Sequence, residues 1–412
     1  MNNKRQLKDS GKLLTIGLLR NGALALSLIL ISNYLGPDQL GNYSLGLAIA
    51  TPIFVFSQFG LRGVFLTKSA PHKFSSYFIV GSVGSIFAIT TVTVLSLVFY
   101  PELIFIFIFI ALIKSIDAIS DLLTAPYQAS HRLNQVVVAY GTATLTSTIG
   151  VWVVLNAGGN LVTSLAMILI LNSLIFSIFL FPKVWRHSSE ITPPLEQTHR
   201  YADIRSIFLS GLPLGVAAGI IALTSSSPQI ILENISGPAA VGLLGILLYA
   251  YGMAELLIGS IAQSWLPHTK GSFLTAESSD DFLKFLSRQI RFWTLAIAPV
   301  ALLGAYLLYV MMPIIFGKEF QLTMSVGVPL VLLICLIPAM NFTGTALLIA
   351  NLYSREIWLA IVSAFMATLC SLILIPQLGI AGALYSLLLA LVSRIITARM
   401  FLRGHHATIK KS

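Results

Sequence analysis

Charge is what this sequence has least of. Only 10% of its 412 residues are Asp, Glu, Lys or Arg, 56% are hydrophobic, and the mean hydropathy is +0.88. A soluble domain carries about 25% charged residues, so the composition places the chain in a membrane. Cysteine is nearly absent: Cys335 and Cys370 both lie inside apolar runs. Two thiols cannot make a disulfide framework or a zinc site, and they read as packing residues. Signatures of catalysis are missing too. There is no Walker loop, no H-E-x-x-H pair and no convincing nucleophile elbow. Gly211-Leu212-Pro213-Leu214-Gly215 lies in an apolar helix and is a weak signal. The chain is therefore not expected to be an enzyme, nor to need a cofactor or a metal. The net charge of +10 would suggest nucleic acid in a soluble protein. Here it points instead to loops held on the cytoplasmic side, and no nucleic-acid partner is expected.

What the sequence has in abundance is long apolar runs. Leu13 to Tyr34 is apolar apart from Arg20, Asn21 and a few hydroxyls, and Tyr43 to Leu66 is apolar again. Between them stands Leu35-Gly36-Pro37-Asp38-Gln39-Leu40-Gly41, a strong turn signal. The same signal returns 201 residues on as Gly237-Pro238, followed by Gly242. Spans need about 20 apolar residues, and about twelve candidates can be found. They are roughly 13–34, 43–66, 76–99, 103–124, 136–156, 161–181, 205–232, 239–265, 291–312, 322–350, 357–375 and 379–401. In lipid these runs satisfy their backbone only as helices. The expected fold is an all-α polytopic membrane protein of about twelve transmembrane helices in two six-helix lobes. His187 to Tyr201, with Pro193-Pro194 and mixed charges, reads as the linker, giving lobes at 1–190 and 191–412. Repeated halves are a common construction for secondary transporters.

Lys and Arg set the orientation. With Met1 to Lys12 as a retained cytoplasmic tail, rather than a cleaved leader, the basic residues segregate. Lys68, Lys73, Arg132, the 182–204 connection, Lys270, Lys284, Arg288, Arg355 and Arg403 fall inside, and Lys318 alone falls outside. All seven His residues fall in cytoplasmic segments, so no histidine relay crosses the membrane. Pro52, Pro213, Pro228, Pro299 and Pro338 are expected to kink their helices. The polar stretches 224–228 and 341–345 would line a cavity or hydrogen-bond between helices.

Ionisable groups at depth are costly and face a partner or a wet cavity. Arg20 sits roughly 12 Å beyond Lys12 along a helix and either snorkels or enters the cavity. Lys114, Asp117 and Asp121 stand at i, i+3 and i+7, hence on one face, where Lys114 and Asp117 can neutralise each other. Glu255, one turn after Tyr251, is an isolated carboxylate near mid-helix. It is a candidate to titrate or bind a cation, H+ or Na+, as the lobes alternate. Arg62 and Arg394 lie nearer the helix ends and are expected to snorkel.

The stretch Leu35 to Tyr43, then Phe59-Gly60-Leu61-Arg62 and Phe316-Gly317-Lys318-Glu319-Phe320, resembles the polysaccharide transporters of the multidrug/oligosaccharidyl-lipid/polysaccharide exporter superfamily, in particular the Wzx-type O-antigen flippases. The resemblance implies two lobes that open alternately to each side of a bacterial inner membrane. It implies a lipid-linked oligosaccharide on an isoprenoid diphosphate as substrate, moved to the outer leaflet within polysaccharide or lipopolysaccharide biosynthesis. Membrane lipids, a polysaccharide polymerase and its chain-length machinery are the partners it suggests. It puts Arg20 and Arg62 at the cavity as substrate-binding residues, and Lys114 joins them from the depth argument. Asp117, Asp121, Tyr251 and Glu255 are the cavity or coupling candidates. Glu255 stands where relatives place a basic residue. A multidrug or small-cation antiporter of the same superfamily is the alternative, and its cavity should be net acidic. A membrane polymerase would need catalytic groups on a sizeable outer loop, and none is visible.

Overall fold

A computed structural model describes residues 3–67, 73–185, 200–275, 278–350, 352 and 355–409. Of the expected linker, His187 to Tyr201, residues 187–199 lie outside the described residues, and Arg200 and Tyr201 are already helical. No strand occurs among the described residues. The helices are α1 (Asn3–Ser57), α2 (Leu61–Thr67), α3 (Phe74–Phe99), α4 (Ile104–Ala129), α5 (Leu133–Asn156) and α6 (Leu161–Phe179). They continue as α7 (Arg200–Ser264), α8 (Leu266–Thr275), α9 (Ser279–Ile315), α10 (Met324–Ile349), α11 (Arg355–Leu378) and α12 (Ile380–Ile409). Ten helical stretches among the described residues are long and apolar enough to cross a membrane, and two of them, Gly11–Thr67 and Asp203–Ser264, are far longer than one crossing requires. The chain is a multi-pass membrane protein.

Both overlong helices are broken, and each at the anticipated glycine. Gly36 has φ 82°, ψ 179° and Gly237 has φ 78°, ψ 178°. The following proline excludes the helical region for the residue before it, and positive φ with ψ near 180° is open essentially to Gly alone. A Cβ at either site would meet nothing within 4 Å, so the backbone angle, not space, selects glycine. Three residues before each break an asparagine amide donates to the carbonyl one turn back: Asn33 to Ile29 and Asn234 to Ile230, both at 2.9 Å. At Gly36 the break folds the chain back. Leu24 and Ser27 from the first arm share one small recess with Tyr43 and Leu47 from the second, although a straight helix would hold Leu24 and Leu47 about 35 Å apart.

The chain's internal contacts group it into two compact units, Met1–Ala222 and Leu223–Ser412. In the first unit α1 ends where Phe59 and Gly60 both take positive φ (50° and 57°). Gly211, Gly215 and Gly219, one turn apart on α7, press on that corner. Cβ atoms there would lie 2.5 Å from the Phe59 carbonyl, 2.5 Å from the Phe56 carbonyl and 2.9 Å from the Phe56 Cβ. Small residues at this spacing let membrane helices approach closely. The core of this unit joins Phe65, Tyr77, Tyr127, Leu133 and Leu180, and the Tyr127 hydroxyl donates to the Leu180 carbonyl at 2.7 Å. In the second unit α8, α9, α10 and α12 share a core around Phe282, Leu286, Phe342 and Leu402. Pro52, Pro299 and Pro338 are accommodated inside α1, α9 and α10. In the second polar stretch the hydroxyls bond to their own helix: Thr343 donates to the Ala339 carbonyl and Thr345 to that of Asn341. Thr224 and Ser363 meet across helices at 3.4 Å.

Gly36→Ala and Gly237→Ala are each expected to cost about 1–3 kcal/mol, because alanine must hold a glycine-only conformation. Gly22→Ala, in open helix, is expected to be neutral or to stabilise by up to about 1 kcal/mol. Thermal unfolding of detergent-purified variants measures this, and an unchanged melt for Gly36→Ala would refute the argument.

Candidate functional site

The charges expected on one face of α4 are divided by their neighbours between two places in the first unit. Lys114 and Asp117 line a recess of about 90 Å³ with Arg20 and Ser27 of α1, Tyr140 and Thr144 of α5, and Asn172 of α6. Asp121, one turn on, turns to a separate cavity of about 460 Å³ and meets Arg62.

Arg20 is positioned at the recess through the backbone of its neighbour Leu19. The Thr144 hydroxyl donates both to the Leu19 carbonyl (3.1 Å) and to the Tyr140 carbonyl (2.8 Å), tying α5 to α1 beside it. The Tyr140 hydroxyl shares a 2.9 Å hydrogen bond with Ser120 on α4. Arg20 is exposed by surface area yet closely surrounded by protein, the condition of a group facing an open recess. Arg20, Lys114, Asp117 and Tyr140 are electrostatically coupled. Among the described residues neither Arg20 nor Lys114 has an ion-pair partner within 4 Å. The neutralisation expected of Lys114 by Asp117 is therefore not a contact pair. The order is unfavourable, since an acid placed before a base along a helix pairs better than the reverse. With one carboxylate to two cations, the recess carries a net positive charge. The Asn172 Oδ1 is buried there without a protein donor.

Arg62 does not snorkel. The corner at Phe59-Gly60 turns the start of α2 toward α4, and the guanidinium donates to Asp121 Oδ1 and to Gln128 Oε1, both at 2.8 Å. The two partners are seven residues apart, so Gln128 prolongs the polar face of α4 that the sequence announced. A half-buried guanidinium in a membrane protein keeps such a clamp because its charge would otherwise go unmatched. The lining of this cavity includes Gln58, Phe78, Gly81, Leu214 and Ala218.

In the second unit Glu255 and Tyr251 are not alone. Arg394 of α12 is electrostatically coupled to both, and its guanidinium is hydrogen-bonded to Glu356 of α11. Arg394 is thus a paired group at 18% side-chain exposure, not a snorkelling one. Glu255 itself forms no ion pair within 4 Å among the described residues. Sequence reasoning missed Tyr43, Tyr140, Asn172 and Glu356, which are single polar residues on apolar helices with no local pattern. No group of three or more metal-ligating side chains occurs among the described residues.

Outside the membrane, His131 Nδ1 meets Asp9 Oδ2 at 2.6 Å, with Lys12 at 3.6 Å from the same carboxylate. The hydrogen bond to His131, then the nearby cations, hold the Asp9 carboxyl below its ordinary value of 3.8. What this tie contributes is therefore present above that value and is lost as pH falls through the lowered one.

Arg62→Ala is expected to lower stability by about 1–3 kcal/mol by stranding Asp121. The double Arg62→Ala/Asp121→Ala variant should be no worse than the single one. Melting curves of the wild type, both single variants and the double variant decide it, and additive losses would show that the pair is not coupled.

The family model described as "Polysaccharide biosynthesis protein" matches residues 6–269. The capsular polysaccharide biosynthesis protein CapF of Staphylococcus aureus is 24% identical over 358 residues, covering 84% of this chain and 86% of CapF. Among solved structures, the lipid II flippase MurJ in an inward closed conformation has a TM-score of 0.65 at 13% identity, over 95% of this chain and 87% of that one. An outward-facing multidrug resistance MATE family transporter of the MOP superfamily has a TM-score of 0.62 at 13% identity, over 98% and 97%. These structural likenesses speak for the fold. The family match begins in α1 and runs past the second Gly-Pro break into α8, and by it the chain belongs to the family of polysaccharide biosynthesis proteins.

Proposed function

We propose that this chain is a flippase that moves an oligosaccharide linked to an isoprenoid diphosphate, an O-antigen, capsular or related repeat unit, from the cytoplasmic to the outer leaflet of a bacterial membrane. The observation that carries the proposal is the pair Arg20 and Lys114, two cations in one recess with no ion-pair partner among the described residues. Such groups await an anion. A diphosphate leaving water needs compensating charge, and charge-assisted bonds from a guanidinium are strong and fork-shaped. Arg62, in the separate cavity beside it, is proposed to join substrate binding from within its clamp on Asp121. The family, and the likeness in fold to a lipid II flippase, support this reading.

In this proposal each broken helix crosses twice, giving twelve crossings in lobes 1–190 and 191–412. Both termini and the 182–204 connection face the cytoplasm, and the lobes rock to give alternating access. A lipid-linked sugar has a head too polar for hydrocarbon and a tail too apolar for water. The protein supplies a wet wall for the one and leaves the other in lipid. Membrane lipids, a polymerase and chain-length machinery work beside it. The antiporter alternative would draw on Asp117 and Asp121, but Asp121 is already engaged by Arg62.

Arg20→Ala should lose most of the surface polysaccharide restored to a deletion strain, and Arg20→Lys should keep part of it, since lysine offers charge without the fork. Full restoration by Arg20→Ala at equal protein level would remove the diphosphate contact. Drug sensitivity with intact polysaccharide in the deletion strain would favour the antiporter.

Glu255, lacking an ion pair but sensing Arg394, is proposed to couple flipping to H+ or Na+. Glu255→Gln should leave the melting temperature intact and reduce flux driven by an imposed ion gradient. Flux equal to wild type across a range of gradients would exclude it from coupling.

A further inference from the structure

The second unit carries a charged groove that the transport reading leaves unused. It is an open cleft of about 720 Å³ between the start of α9 and the end of α12, lined by Asp280, Leu283, Lys284, Ser287, Arg288, Arg291 and Arg403. Four cations face one carboxylate. Two of them hold weak, exposed ion pairs: Arg403 with Asp280 at 4.0 Å, and Lys284 with Asp281 at 3.5 Å. Arg288 and Arg291 hold none among the described residues. Lys284, Arg288 and Arg291 stand at i, i+4 and i+7, so α9 presents them on one face.

The position of this face decides what it meets. At 37 residues α9 is about 55 Å long, well beyond the roughly 30 Å of hydrocarbon. Its polar first turns therefore lie outside the apolar layer. Directly beyond the arginines, on the same face, come Leu295 and then Leu302 and Tyr306, 67%, 60% and 63% exposed. Basic side chains followed along one helix face by a bare apolar stripe match a molecule with an anionic head and an acyl tail. A soluble anion would have no use for the stripe.

We infer that Arg288, Arg291 and Arg403 bind the phosphate of an anionic phospholipid, whose acyl chain lies along Leu295 and Leu302 of α9. The site is separate from the recess at Arg20 and does not depend on the transported substrate. It belongs to whichever leaflet meets the start of α9, which is the cytoplasmic one under the topology proposed above. Basic residues near a membrane surface each strengthen binding to anionic lipid several-fold. Here they would fix the tilt and depth of α9.

The test is lipid binding to the full chain purified in detergent, read by native mass spectrometry and by thermal shift. Phosphatidylglycerol should be retained and should raise the melting temperature, while phosphatidylcholine and inorganic phosphate should do neither. Arg288→Gln/Arg291→Gln should weaken phosphatidylglycerol binding by about tenfold to thirtyfold. Arg288→Lys/Arg291→Lys should keep most of the binding, and Lys318→Gln, a remote exposed cation, should change nothing. Equal retention of phosphatidylcholine, or equal weakening by Lys318→Gln, would overturn the inference. Stabilisation by inorganic phosphate matching that of the lipid would reduce the groove to a free-anion site and overturn it too. Because transport is not measured, failure here leaves the flippase proposal standing, and failure of that proposal leaves this one.

Discussion

Everything in this chain depends on the need of each backbone amide and carbonyl to find a partner without water. That requirement makes helix the default along its length and turns every departure into a local problem with a local solution. The breaks at Gly36 and Gly237 are solved alike: a glycine takes the one conformation that precedes proline at positive φ, and an asparagine three residues earlier bonds back into the helix it closes. Serine and threonine hydroxyls throughout do the same, bonding to carbonyls three or four residues back.

Charge follows the same economy. Arg62 and Arg394 each reach a carboxylate on another helix, and Arg62 also takes an amide. Against that background the cations without such partners are where both proposals place a ligand. Arg20 and Lys114 face a recess in the first unit, and Arg288 and Arg291 face a groove in the second. The two places differ in setting. The recess is walled by α1, α4, α5 and α6, whereas the groove lies open at the polar end of one long helix.

The features legible in the sequence were those whose cause is local. A Gly-Pro step between two apolar runs is a statement about dihedral angles, and the structure realises it twice to within a few degrees. Apolar length told where helices run, though not that only one residue between each Gly-Pro pair of runs would leave helical angles. The partner of Arg62 and the cation that Glu255 senses were hidden because they stand 59 and 139 residues away, and no spacing rule reaches that far. Gly211, Gly215 and Gly219 were in plain view at one-turn spacing. Their role depends on the carbonyls of Phe56 and Phe59, which only the packed chain brings to them. The interior face of α4 was half legible: the spacing put its charges together, and the surrounding helices then took Lys114 and Asp117 one way and Asp121 the other.

The break at Gly36 also bears on how the protein is made. Its two arms are joined by a single non-helical residue, so the connection has no slack. A loop of ten residues would let the first arm settle in the bilayer while the second was still being synthesised. Here the second arm begins where the first stops, and neither can be drawn far from the other without unwinding helix. The two arms are therefore expected to leave the insertion machinery together as a hairpin, with the polar stretch Asp38-Gln39 at its tip. The biosynthetic unit at this break is then two helices long, although the finished protein is described one helix at a time.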